Sequence, residues 1–514
     1  MKYISKTALA VLLSVFIGIT ASAQVKTYNI KNYGAIADGK TNNTAAIQKA
    51  IDEASANGGG RVLVPAGKFV TGVITIQSNI ELHLDKDAFL LGSTIRTDYG
   101  DGKASPLIIA NHQHHIAITG HGTIDGQGDS LLKDIYRRLN AGTLQDTEWR
   151  KPNPWHQMRP TEDNRPKLIE FKNCDDIQLK NITIKNGLCW TQNYKNCTNM
   201  VIDSMKVENV TYWNNDGIDI VDCKNVKLTN SFFNAADDGI CLKSEDPDGA
   251  CENVYVANCR VRSSASAVKL GTGSLGGFKK IAIRNISVYD TYRSAIAIET
   301  VDGGVLEDVD IRDIVAKNTG NAIVIRLGHR NQKRPAGVLR RVYIGNVTVD
   351  VPAGKPDAGY PIEGPIVSVP HNVFPSSITG IPGSRAQDIT LENITINYAG
   401  GAKKEVANFG IDSLEKVPEK IRDYPEFSMF GELPAWGFYI RHADGIKIKN
   451  MVLTCKGTDY RPAFIADDVN GLSLNGLNIP QVKTKPVILL NKVSGFVSEN
   501  ITIPGGAKQN IQVQ

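Results

Sequence analysis

Three aspartates in two short, similar phrases are the residues of this chain best suited to acid–base chemistry. Asp216 opens the run Asp-Gly-Ile-Asp-Ile220, Asp238 opens Asp-Gly-Ile-Cys-Leu242, and Asp237 stands directly before the second copy. Like charges held close raise one another's pKa, so crowding three carboxylates costs energy. A pair working as acid and base, tuned by a third, suits the hydrolysis of a glycosidic bond. A solvated or turn-capping aspartate cluster and a calcium site of stacked carboxylates are the competing readings.

Whether the three meet depends on the elements that carry them, and those elements repeat. The phrase apolar-x-apolar-x-Asn/Asp-apolar begins at Ile177, Val226, Val254, Ile281, Val309, Val342 and Ile389, with weaker copies at Ile116, Met200, Ile446, Leu472 and Phe496. From 177 to 309 the steps are 23, 26, 28, 27 and 28 residues. Strand-like alternation inside each copy, with a period in the twenties, predicts an all-β solenoid, the right-handed parallel β-helix. The recurrent Asn or Asp before each turn suits a side-chain ladder and tolerates turn backbone.

A second register sits on the next strand of each coil. Asp216, Asp238, Ser266, Ser294 and Asn321 each precede two apolar residues spaced two apart, at steps of 22, 28, 28 and 27. They are expected to stack in one column at the roughly 4.8 Å spacing of paired strands. Asp216 and Asp238 then become neighbours, with Asp237 beside them. By alternation Asp219, Lys243, Lys269, Glu299 and Arg326 face away from the core.

The remaining chain supports this architecture. Residues 1–23 read as a cleavable signal peptide: Lys2 and Lys6, an apolar run from Ala8 to Ile19, and Ala21-Ser22-Ala23 before Gln24. That predicts a protein exported to the periplasm or secreted, with no membrane span. Residues 24–104 form an N-terminal cap and first strands, with a helix starting near Thr44, striped by Ala45, Ile47, Ile51 and Ala54, and ended by Gly58-Gly59-Gly60. Residues 105–514 are the β-helix, interrupted by inserted loops at 128–165, 352–386 and 398–436, the last with a helical piece from Ser413 to Arg422. The net charge of +5 falls to +3 without Lys2 and Lys6, which gives no field that points to nucleic acid. The eight cysteines lack CxxC or zinc-ligand spacing and read as stacked buried thiols. No cofactor, no metal and a monomeric state are expected.

These residues resemble glycoside hydrolase family 28, the polygalacturonases and related pectin hydrolases. Asn214-Asn215-Asp216-Gly217 resembles the family's Asn-Thr-Asp-Gly phrase, Asp237-Asp238 its paired aspartates, and Gly239 to Ser244 the run that follows. The resemblance implies a parallel β-helix in which Asp237 is the general acid, Asp216 and Asp238 activate water, and the anomeric configuration inverts. It also implies a pectic polysaccharide or oligosaccharide as substrate. Two departures stand out: the family's Gly-His-Gly aligns with Ala265-Ser266-Ala267, and its Arg-Ile-Lys, which binds the galacturonate carboxylate, aligns with Ala297-Ile298-Glu299. The candidates for holding substrate are therefore Asn214 and Ser266, with the cations Lys243, Lys269, Arg293, Arg326, His329 and Arg330 in place of the missing clamp. Otherwise the sugar at the cleavage point is not galacturonate.

Loops carrying Trp149, Trp155, His156 and Tyr424 to Trp436 are placed to wall off one end of the groove. A closed end favours release of a terminal residue over internal cleavage. Two other readings compete. A polysaccharide lyase on the same fold needs calcium and a basic proton abstractor, and a non-catalytic carbohydrate-binding β-helix needs no crowded carboxylates.

Overall fold

The computed structural model describes residues 25–151, 159–365, 374–407 and 409–514. Residues 1–23, Trp155 and His156 lie outside them. Strand after strand pairs in parallel with the strand one coil earlier, and the repeat phrase supplies the register. Ile116, Ile177, Met200, Val226, Val254, Ile281, Val309, Val342, Ile389, Ile446, Leu472 and Phe496 are successive partners in one continuous row. The right-handed parallel β-helix expected from the sequence is the observed fold. The ladder also runs through the first strands, from Thr27–Asn29 to Gly60–Val64, Ile80–Leu84 and His114–Gly120, so these residues form the first coils of the same stack.

Helix α1, Thr44–Ala56, covers the open end of the first coil with buried Ile47, Ala50, Ile51 and Ala54. It gives way at Asn57 to the three glycines, whose positive φ values of 88°, 118° and 149° turn the chain back into the first strands. Inside the stack every second residue points inward, and the rows of Ile, Val and Leu are fully buried. Each such side chain removed from water contributes about 1.5–3 kcal/mol. Cys174, Cys197, Cys223 and Cys251 stack in one of these rows, and each thiol donates to a backbone carbonyl, such as Cys223 Sγ to Tyr194 O at 3.2 Å. All eight cysteines are buried thiols.

The repeated Asn has a backbone cause. Asn230, Asn258 and Asn285 have φ of 54°, 56° and 50°, in the left-handed region where each coil bends between strands. Asn adopts that conformation more readily than other residues with a side chain. Each amide also donates to its predecessor: Asn258 Nδ2 to Asn230 Oδ1 at 3.1 Å and Asn285 Nδ2 to Asn258 Oδ1 at 2.9 Å. A second ladder runs through Asn346, Asn393 and Asn450.

The insertions depart from expectation in two ways. Helix α2, Gly128–Asn140, occupies the first and packs Leu131, Ile135 and Leu139 against the coils. In the third, the piece expected to be helical from Ser413 to Arg422 is instead a 3₁₀ segment, Ile411–Lys416. Pro418 stops it: proline disfavours the helical conformation in the residue before it, and Val417 is extended at ψ 119°. The residues expected to face outward do leave the solenoid core, yet Asp219, Lys269, Glu299 and Arg326 are at most 2% exposed. Neighbouring side chains and inserted segments cover them, as Tyr424 covers Lys269 and residues 419–420 cover Arg326.

Asn258→Ala should destabilise the protein by about 2–3 kcal/mol, from a left-handed backbone without Asn plus two lost ladder bonds. Asn258→Gly, which restores only the backbone freedom, should recover part of that loss. Denaturant unfolding of the two variants checks the order.

Candidate active site

The column of Asp216 and Asp238 is held by backbone contacts too tight for any other following residue. A Cβ on Gly217 would meet Gly239 O at 2.4 Å, and one on Gly239 would meet Ala267 O at 2.7 Å as well as the Val261 side chain at 2.3 Å. The two Asp-Gly pairs let consecutive coils close down, with Gly217 N donating to Asp238 O at 2.9 Å and Gly239 N to Ser266 O at 2.9 Å. Buried Asn215 fixes the approach to Asp216: its Oδ1 accepts from Tyr212 N at 2.6 Å and its Nδ2 donates to Gly187 O and Cys189 O. The predicted column is present, since Ile218, Ile240, Val268, Ile296 and Ile323 are successive partners.

Asp216, Asp237 and Asp238 all line one cleft of about 530 Å³, together with Asn214, Lys243, Lys269, Arg330, Trp190, Glu162 and Tyr424. Two ammonium groups organise its floor. Lys243 Nζ bonds Asp216 Oδ2 at 2.8 Å and also Asp219 Oδ1. Lys269 Nζ meets Asp238 Oδ2 at 2.9 Å, donates to Tyr424 Oη at 2.8 Å and lies 4.0 Å from Glu299 Oε2. Asp238 Oδ1 accepts from Ser266 N at 3.0 Å, and Asp237 Oδ1 accepts from Asp238 N at 2.9 Å.

This arrangement separates the two neighbouring aspartates. Burial, followed by the charges of Asp216 and Asp238, pushes the Asp237 carboxyl up to about 7, against the pull of Arg293 and Lys269. Burial would raise Asp238 as well, but Lys269, Arg293 and Lys243 outweigh it and hold that carboxyl below the usual range. Asp216 is raised by burial and by Asp219, with Lys243 opposing. The site therefore offers a protonated acid, Asp237, beside an ionised base, Asp238, near neutral pH. Asp216, Asp238 and Cys241 bring donor atoms within 4.8 Å of one another. Calcium takes six to eight oxygens, whereas here lysine ammoniums already bond both carboxylates, so the donor set does not suit that ion.

The other sequence candidates divide. Asn214 lines the cleft and its Oδ1 accepts from Arg165 Nη2 at 3.0 Å. Ser266 is buried beneath the cleft and contributes its amide to Asp238. Arg293 reaches toward Glu426 at 3.5 Å, near Tyr424. Arg330 lines the cleft but forks onto Asp302 at 2.9 and 2.6 Å. His329 is turned to Arg334 O at 2.7 Å, and Arg326 is 1% exposed, donating to Gly380 O, Glu419 O and Lys420 O. Neither His329 nor Arg326 lines the cleft, because backbone carbonyls of adjacent loops take their donors.

Among the wall residues, Tyr424 lines the cleft, whereas Trp149 packs on Tyr136 and Trp436 on Tyr398. Three participants lie outside the sequence candidates. Asp219 and Glu299 show in the sequence only as outward positions. Trp190, whose ring lies 3.5 Å from Lys243 Nζ, carries no repeat signal at all.

Fold and site together define a parallel β-helix glycoside hydrolase. Residues 55–415 match the family described as "Glycosyl hydrolases family 28", and the chain belongs to that family. It is 27% identical over 423 residues to a probable polygalacturonase of Vitis vinifera, covering 74% of this chain and 77% of that one. It is 25% identical over 465 residues to an exo-poly-alpha-D-galacturonosidase of Dickeya chrysanthemi, covering 78% and 76%. The solved structure of a hyperthermoactive exopolygalacturonase from Thermotoga maritima shares the fold, with a TM-score of 0.57 at 21% identity, over 84% of this chain and 92% of that one. All three aspartates fall inside the family match.

Two substitutions test the ammonium groups. Lys243→Met leaves Asp216 and Asp219 buried without their cation and should cost about 3–5 kcal/mol at neutral pH. Their pKa values then rise, so the loss should shrink as pH falls and the carboxyls protonate, which unfolding at several pH values measures. Lys269→Met removes the strongest stabiliser of ionised Asp238, so the acidic limb of kcat/KM should move to higher pH. Lys269→Arg should restore much of it.

Proposed function

We propose that the protein is an exported, inverting hydrolase that releases the terminal residue of pectic chains, galacturonate or a related sugar. The observation that carries this is the split between Asp237 and Asp238, an acid raised to about 7 next to a carboxylate held ionised, on the floor of one cleft. Asp237 would protonate the departing glycosidic oxygen, Asp238, the carboxylate held ionised, would take the proton of the attacking water, and Asp216 would help to orient that water. Inversion follows when water attacks from the face opposite the leaving group without a covalent intermediate.

Three further features support the reading. The relatives are named for polygalacturonase and exo-galacturonosidase activity. Glu162 from the first insertion and Tyr424 from the third both reach the cleft, which suits a chain end better than a passing polymer. The segment 1–23 has the composition of a cleavable signal, in keeping with work in the periplasm or outside the cell on cell-wall pectin. The lyase reading loses ground because Lys243 and Lys269, the bases nearest the aspartates, are raised in pKa by the carboxylates they bond. Such ammoniums do not abstract protons.

Asp237→Asn should lower kcat by about 10²–10⁴-fold, the usual contribution of general acid catalysis, with the circular dichroism spectrum unchanged. The wild-type rate should fall as pH rises through about 7, where Asp237 loses its proton. Product analysis on oligogalacturonides should show one terminal unit from the start, in the inverted configuration by NMR. Equal amounts of mid-length oligomers would contradict terminal attack, and UV-absorbing unsaturated ends would establish a lyase.

A further inference from the structure

A second pocket, of about 440 Å³, adjoins the cleft on its N-terminal side and shares Glu162, Trp190 and Glu245 with it. The strand register places its lysines in line with the active site. Lys172 pairs with Lys195, Lys195 with Val221, and Val221 with Lys243, so one row of the outer face runs from the pocket to the lysine that bonds Asp216. At roughly 4.8 Å per coil, Lys195 lies about 10 Å and Lys172 about 14 Å from Lys243 along the solenoid. A saccharide that extended from the cleft past Trp190 along the solenoid would cross both.

The two compartments have opposite charge balance. In the cleft, Lys243 faces Asp216 and Asp219, while Lys269 faces Asp238 and Glu299. In the second pocket Lys167 and Lys172 converge on a single carboxylate, Glu170, at 2.8 and 2.6 Å. Behind them lies the buried guanidinium of Arg165, whose hydrogen bonds go to Thr161 O, Leu188 O, Trp213 O and Asn214 Oδ1, none of them a carboxylate. Lys195 and Lys103 pair with Glu245 and Asp163, and all four of these side chains are partly exposed and free to re-pair. A sugar-ring carboxylate is thus opposed by the acids of the cleft and attracted by the excess cations beyond Trp190.

We propose that this pocket, through Lys172, Lys195 and Lys167, is a subsite for the ring carboxylate of an acidic sugar two or three coils from the scissile bond. Carboxylate recognition is thereby moved along the groove from the position where Ala297 and Glu299 replace a cationic clamp. The proposal rests on the hydrolase reading above and adds to it where the acidic residue of the chain is held.

Calorimetric titration of the Asp237→Asn protein with tetragalacturonate, and with the same oligosaccharide reduced to its neutral galactose form, tests it without turnover. Adding Lys172→Gln or, separately, Lys195→Gln should weaken tetragalacturonate binding about tenfold, as for loss of one charge-assisted bond. Binding of the neutral oligosaccharide should not change. Thermal unfolding of each variant identifies one that fails to fold, and the other then carries the test. Unchanged affinity for tetragalacturonate, or an equal loss for both ligands, would overturn the subsite. If the wild type cleaves oligogalacturonides while the variants bind normally, only the subsite falls. If the wild type neither cleaves nor binds them, the galacturonate substrate of the proposed function falls and the subsite with it.

Discussion

Parallel pairing in a solenoid puts a residue of one coil directly over its counterpart in the next, roughly 4.8 Å away, and the active site depends on that spacing. It brings Asp216 and Asp238 together from positions 22 residues apart. Two like charges at that separation, under the cover of inserted loops, cannot persist unless cations are built in beside them. The same register delivers those cations, each from an outward position on the coil that follows its aspartate: Lys243 for Asp216 and Lys269 for Asp238. Glycine at 217 and 239 lets the coils approach closely enough for the stack to continue through the site.

The cations are distributed unequally, and that inequality gives the aspartates different roles. Asp238 has Lys269 at 2.9 Å and the Ser266 amide at 3.0 Å, so its charge is favoured. Asp237 has the Asp238 amide but, among the described residues, no ion-pair partner in contact, and it feels both neighbouring carboxylates. One proton on the pair is therefore favoured to sit on Asp237. No residue outside the ordinary twenty is needed for this, only the order in which carboxylates and lysines fall along three successive coils.

Much of this was legible in the sequence because a solenoid is local: strand alternation, the left-handed Asn and the Asp-Gly pairs recur at a nearly constant period. The row from Ile116 to Phe496 is readable from the sequence alone. What could not be read was the cover. Alternation places Arg326 and Asp219 outside the core, but whether solvent, substrate or a loop meets them depends on segments far away in the chain. Tyr424 lies 155 residues from Lys269 and bonds it, and backbone carbonyls at 419 and 420 claim Arg326. Trp190 belongs to no repeated phrase, so its position between the two pockets emerges only when the coils are stacked. The 3₁₀ segment at Ile411–Lys416 differs from the expected helix for a simpler reason, the constraint that Pro418 places on Val417.

Asp237 and Asp238 sit side by side with opposite preferences for a proton. Carboxyl ¹³C NMR titration of the aspartates, assigned by loss of one signal each in Asp237→Asn and Asp238→Asn, measures this directly. The account predicts that the Asp237 signal titrates near 7 while the Asp238 signal remains that of an ionised carboxylate down to pH values below 3.8. An Asp237 carboxyl that titrates in the ordinary aspartate range, or an Asp238 that takes up its proton first, would contradict it.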